Sequence, residues 1–234
     1  MRIEIYSDVA CPWCYIGDRR FERALSAFPH ADEVEVVYRP YQLDPGAPTE
    51  SVPLPRYLEG RFGAGAAAKM SQVVEAAASE GLTFRFEDAL AVNTGDAHRL
   101  SRLAAQEHGP EVQRSLMQAL FAAHFAEGKD LGDHATLAAL AEGVAMDGKR
   151  VLGYLTTDEG RAEVQAEIEA ARRLGIEAVP TFVFDGRYGV SGAQATSVFL
   201  QALEQVWKET VGAGAGSIGS DAGDAGCADG SCVS

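Results

Sequence analysis

A chain of 234 residues, 47% of them apolar, can bury the core of one large domain or of a compact domain carrying an inserted one. Its formal charge of −14 would repel phosphate and excludes nucleic acid as a main partner. No basic-then-apolar start precedes the first strand, and no apolar run nears the roughly 20 residues that span a bilayer, so a cytoplasmic protein with no membrane partner is expected.

Arg2-Ile3-Glu4-Ile5-Tyr6 alternates apolar and polar residues and predicts a strand. Cys11 to Phe28 follows as a helix, with Ile16, Phe21, Leu25 and Phe28 as its apolar residues and Pro29 helping to end it. Val34-Glu35-Val36-Val37-Tyr38 is rich in strand formers and predicts the second strand. Pro40, Pro45, Pro48, Pro53 and Pro55 then break the chain into a long loop that marks a boundary.

From about Leu54 to Leu155 the pattern is helical, with no strand pair and about five helices. Ala66–Ala78 holds strong helix formers. Asn93-Thr94 can cap a helix through Leu100 and Leu103 to Gly109, and Pro110 can start the next. Asp133 and Asp147 can cap two more.

The α/β pattern then returns. Thr156 with Glu159 fits a capping box, Val164, Ile168 and Ala171 form an apolar stripe, and Gly175 suits the C-terminal cap. Thr181–Phe184 predicts a strand, Asp185-Gly186 a hairpin turn and Arg187–Val190 the partner strand. Ser191 through Gln194 fits another capping box before a last helix with Phe199, Leu203, Val206 and Trp207. Residues 1–50 and 156–210 thus make one discontinuous α/β domain, because strands before and after the insert must share a sheet to be stable. Residues 51–155 are an inserted all-helical domain, and residues 211–234 a flexible tail rich in Gly, Ala and Ser.

The chemistry concentrates at Cys11-Pro12-Trp13-Cys14, at the first strand-to-helix junction. Unpaired N–H groups and the helix dipole favour an anion there, and the thiolate is the reactive form of cysteine. Pro12 early in the helix loses no hydrogen bond. Position makes Cys11 the exposed nucleophile and Cys14 the buried resolving thiol. A structural zinc site would need a second rigid pair, and the remaining cysteines, Cys227 and Cys232, sit on the tail. A tail linker of about 17 residues reaches roughly 23 Å, enough for Cys227 and Cys232 to act on Cys11 as a second redox pair. Pro180 follows Val179, and X-Pro is the bond that tolerates cis. Asp8 reads as a solvated or capping aspartate, with proton relay to Cys11 as its functional reading. Tyr15, Asn93 and His98 are candidate lining residues of a groove between insert and sheet. The five histidines show no metal spacing, so no metal site is expected.

The CPWC stretch after a strand, the helical insert and Val179-Pro180-Thr181 before a hairpin resemble the thioredoxin-fold DsbA family. Ser7 through Gly17, Asn93-Thr94 with Ala97-His98-Arg99-Leu100, and Gly175-Ile176 with Val179 to Phe182 are similar to its cytoplasmic FrnE-like branch. The resemblance covers roughly residues 2–209. It implies a DsbA-like α/β thioredoxin fold and disulfide exchange, with Cys11 as nucleophile, Cys14 as resolver and Pro180 as a cis-proline. Pro12, Trp13, Val179 and Pro180 would meet the substrate. The implied partners are protein thiols and disulfides or small thiols, with no cofactor beyond the dithiol and glutathione as a candidate co-substrate; a homo-oligomer is compatible. One rival is a glutathione-dependent transferase or 2-hydroxychromene-2-carboxylate isomerase-like enzyme on an aromatic or polyketide-like molecule, a branch that commonly carries serine at the position of Cys11. Another is a non-catalytic zinc-binding or redox-sensing module. The direction of electron flow is not legible, since about 30 mV amounts to only 1.4 kcal/mol.

Overall fold

The computed structural model describes residues 1–215; Cys227 and Cys232 lie outside the described residues. A four-stranded sheet in the order β2-β1-β5-β6 is built from β1 (Arg2–Ser7), β2 (Glu35–Pro40), β5 (Thr181–Phe184) and β6 (Tyr188–Ser191). β2 runs parallel to β1 with Ile5 opposite Tyr38, and β5 runs antiparallel with Phe182 opposite Ile5. Strands from both ends of the chain therefore complete one sheet, as a thioredoxin-like fold requires. Asp185 and Gly186 both take positive φ in the β5–β6 turn, the conformation that an Asp-Gly hairpin favours.

Strand alternation gives the sheet two buried faces. On one, Ile3 and Ile5 pack with α1 (Pro12–Ala27) and α9 (Thr196–Ala215), where Phe21, Phe182 and Phe199 contact one another. On the other, Tyr6 packs with Tyr41 and with Ala171 of α8 (Arg161–Arg173). α4 (Gly95–His108) packs on α5 (Pro110–Phe125), and α5 reaches the outer strand β2. There the Gln113 amide accepts from the Tyr38 N–H at 2.9 Å and donates to its carbonyl at 3.0 Å, as another strand would. The main core runs unbroken from the sheet into α3 (Ala66–Ser79), α4, α5, α6 (His134–Glu142) and α7 (Gly148–Leu155). Among the described residues no helix is long and apolar enough to cross a membrane.

Local signals set most helix ends. Asp133 and Asp147 accept N–H bonds at the starts of α6 and α7. At the end of α8 the Gly175 and Ile176 N–H groups return to Arg172 and Ala171, with Gly175 at positive φ. Four features differ from the sequence expectation. The helical block holds a two-residue strand pair, β3 (Val52–Pro53) with β4 (Leu90–Ala91), too short to show alternation. Pro53 and Pro55 do not only break the chain; they open α2 (Leu54–Phe62), where the missing N–H of proline costs nothing. Neither capping box forms. The Thr156 hydroxyl donates back to the Gly153 carbonyl and Gly160 takes positive φ, so α8 starts later, at Arg161, and Ser191 closes β6 while α9 starts at Thr196. Finally, α9 continues to Ala215, into the segment expected as tail.

Candidate active site

Cys11 is the residue that caps α1, and Cys14 lies one turn inside. Asp8 and Cys11 form a tight turn through the Cys11 N–H and the Asp8 carbonyl, at 3.0 Å, which brings the chain off β1 and into the helix. Both cysteines stand as free thiols. Cys14 is 1% exposed, and Cys11, expected at the surface, is 3% exposed. The reason lies far along the chain. The segment before β5 crosses the helix start and sets the Val179 carbonyl 3.7 Å from the Cys11 sulfur. The residue left outside is Trp13, at 41% exposure. Burial pushes the Cys14 thiol well above its usual range, and the Cys11 sulfur beside it adds to the rise; the Ser7 side chain and Asp8 backbone oppose it.

The Val179–Pro180 peptide bond is cis. Pro180 rests against α1 at Gly17, where an added methyl group would come within 2.9 Å of the proline ring. The Pro180 carbonyl accepts from the Gly192 N–H at 2.7 Å, which ties the segment to the end of β6. Cys11, Cys14, Val179 and Pro180 are thus gathered at one end of the sheet. Pro12 and Trp13 border a cavity of about 400 Å³ that runs between the CPWC turn and the helical block.

Asp8 is 1% exposed rather than solvated. Its carboxylate accepts from the Leu43 N–H at 2.8 Å and from the Ala10 N–H at 3.3 Å. His98 Nε2 sits 3.4 Å away, within ion-pair reach but off the line of a good hydrogen bond. Burial alone would raise the Asp8 carboxyl, but His98 and the two backbone N–H groups together hold it below its ordinary value. His98 also lines a smaller cavity of about 160 Å³ behind β2. Asn93 is structural: it accepts from Gly95 N–H at 2.9 Å and donates to the Pro45 carbonyl at 3.0 Å. Tyr15 stacks on Phe84, Phe121 and Phe125.

Two buried groups near the site escape the sequence reading. Burial, with Glu22 nearby, raises the Asp18 carboxyl to about 7, although the Tyr38 hydroxyl donates to it. His124 on α5 lines the cavity beside Pro12 and Trp13, and burial lowers it to about 4 against the pull of Asp8. Both sit where the 3.6-residue period reserves an apolar residue, which is the signal that could have found them. Among the described residues no group of three or more His, Cys, Asp or Glu is placed to hold a metal.

A dithiol at the first helix of a thioredoxin-like sheet, facing a proline-bearing segment, defines a class of fold and site, and the comparisons narrow it. The model of the DsbA-like thioredoxin domain family matches residues 2–204, and the chain belongs to that family. It is similar to the crystal structure of a probable DsbA oxidoreductase from Streptomyces coelicolor, at 41% identity and a TM-score of 0.81, covering 89% of this chain and 91% of that one. It also shares the fold of the cytosolic disulfide reductase DsbM from Pseudomonas aeruginosa, solved with GSH, at 18% identity and a TM-score of 0.63, covering 89% of this chain and all of that one. A Bacillus subtilis relative, the uncharacterised protein YwbO, is 27% identical over 222 residues, 89% of this chain and 98% of its own length.

Proposed function

We propose that the chain is a thiol–disulfide oxidoreductase acting through Cys11 and Cys14 on protein or small-molecule thiols and disulfides. The observation that carries this reading is the packing of Cys11, at the start of α1, between the Cys14 thiol and the Val179 carbonyl. In the reducing direction the Cys11 thiolate attacks a substrate disulfide, one substrate thiolate leaves, and a mixed disulfide remains. Cys14 then gives up its proton and attacks the Cys11 sulfur, releasing the second substrate thiol and closing the Cys11–Cys14 disulfide. The oxidising direction is the reverse. Because Cys14 holds its proton tightly, resolution needs an acceptor, a role that the substrate thiolate leaving Cys11 can fill. Val179 and Pro180 would receive the substrate backbone beside Cys11, with Pro12 and Trp13 on the opposite side.

The test is disulfide exchange on a reduced and on a scrambled protein substrate. Intact protein should act, Cys11→Ser should not, and Cys14→Ser should accumulate the mixed disulfide. Equal low activity in intact protein and Cys11→Ser would overturn the reading. In the same reading Cys227 and Cys232 act as a second pair, and Cys14→Ser should then also yield a link from Cys11 to one of them. Glutathione as co-substrate is a second reading, supported by the cavity beside Pro12 and Trp13. It predicts turnover with glutathione that survives Cys14→Ser.

A further inference from the structure

We infer that the cavity beside the CPWC turn is a specificity pocket for a tyrosine side chain neighbouring the substrate cysteine, with the phenol hydroxyl meeting His124 and an acidic residue of the same peptide meeting Lys69. This rests on the disulfide-exchange reading and names its substrate class. The place comes first. Ala10, Pro12 and Trp13 line the opening, so whatever fills it lies within a residue or two of Cys11. The volume of about 400 Å³ falls at the small end of the range, about 300–1,000 Å³, of small-ligand sites. It admits an aromatic side chain and not a helix. Leu54, Val73 and Phe86 give it apolar walls.

His124 is out of keeping with those walls. It is 3% exposed, and neither ring nitrogen has a hydrogen-bond partner. An apolar residue there would pack beside Phe125 without that cost. The imidazole is neutral at pH 7 and so offers one donor and one acceptor. A carboxylate could not use the acceptor and would be repelled by ionised Asp8, which lines the same cavity. An ammonium could not use the donor and would be repelled by Arg61 and Lys69, which line the same cavity. A hydroxyl on an apolar ring uses either. At the rim, Lys69 is exposed, lies 4.5 Å from the Phe62 ring, and makes no ion pair among the described residues, whereas neighbouring Arg61 is bound to Asp44. A cation left open at the mouth favours an acidic neighbour.

The probes are capped Glu-Tyr-Cys, Glu-Phe-Cys and Gln-Tyr-Cys peptides, each joined through its cysteine to 2-mercaptoethanol. Single-turnover exchange with the reduced full-length protein, which is oxidised to its Cys11–Cys14 disulfide as the peptide is reduced, gives a second-order rate constant for each. Tyrosine should be preferred over phenylalanine about fivefold, the effect of one added hydrogen bond. In His124→Leu that ratio should fall to about one, and in Lys69→Gln the preference for Glu over Gln should disappear. The same peptides with serine for cysteine, followed by isothermal titration calorimetry, report binding without chemistry. Equal rates for tyrosine and phenylalanine in the intact protein, or a ratio that survives His124→Leu, would overturn the pocket and leave the exchange reading standing. Tighter binding of the tyrosine–serine peptide with no exchange on any cysteine peptide would support the pocket and sink the exchange reading.

Discussion

Asp18 offers a measurement in which the sign and size of the effect both follow from its surroundings. The carboxyl is buried on α1, beside the Glu22–Arg114 ion pair, with Tyr38 donating to it. Its value rises from 3.8 to about 7, chiefly through burial, with Glu22 adding to the rise. Between these limits the folded protein holds a proton that the unfolded chain has lost. The stability this contributes is complete below about pH 4 and is lost as pH climbs through 7. Three units at 1.36 kcal/mol each amount to about 4 kcal/mol. Asp18→Asn keeps the shape and removes the titration. Urea unfolding of both proteins under reducing conditions, from pH 4 to pH 8, gives a difference curve in which the shifts of Asp8 and His124 cancel, since both proteins carry them. The Asn variant should gain on the intact protein across the window and lead it by about 4 kcal/mol at pH 8. A difference that changes by less than about 1 kcal/mol over that range would refute the burial argument.

Two other substitutions test the scaffold. Arg99 is 1% exposed and donates to the carbonyls of Tyr154, Thr157 and Glu159 and to Asp96. Arg99→Met leaves those acceptors buried and should cost roughly 3–5 kcal/mol in urea unfolding; a loss below about 1 kcal/mol would mean that water replaces the guanidinium. Gly17→Ala should be compared with Gly153→Ala, each adding a methyl group to a helix. At Gly153 nothing lies within 4 Å, and the better helix former should stabilise by about 0.5–1 kcal/mol. At Gly17 the methyl meets Pro180 at 2.9 Å and the Ala193 backbone at 3.3 Å, adding an overpacking cost of about 1–3 kcal/mol and slowing disulfide exchange. Equal gains at the two sites would show that the Pro180 segment yields freely.

What could be read from the sequence was local. The change from a period of two to a period of 3.6 at Cys11, with Pro12 after it, located the helix start to within one residue. Asp133, Asp147 and Gly175 marked ends that the structure keeps, because an Asx cap or a positive-φ glycine acts within a few residues. Where local pattern competed with distant contacts it failed. Thr156 to Glu159 has the letters of a capping box, but the Thr156 hydroxyl donates back to Gly153, and Arg99, nearly 60 residues earlier, holds the Thr157 and Glu159 carbonyls outside any helix. Cys11 occupies the position of an exposed nucleophile, but Val179, 168 residues later, covers it. Nothing in a window around residue 11 encodes that cover.

Asp18 and His124 form a different case, because their anomaly was present in the sequence. Asp18 falls four residues after Cys14 and three before Phe21, on the buried stripe of α1. His124 falls four after Leu120 and three after Phe121, on the buried stripe of α5. A titratable group at a position the helical period reserves for an apolar one has only a few outcomes: it finds a partner, it shifts its titration, or it faces a space that something else fills. Asp18 takes the first two, through Tyr38 and a value near 7. His124 finds no partner, becomes neutral and lines the cavity beside the dithiol. The period violation therefore says where to look, and only the three-dimensional surroundings separate a packed acid from an unpartnered histidine at a cavity wall.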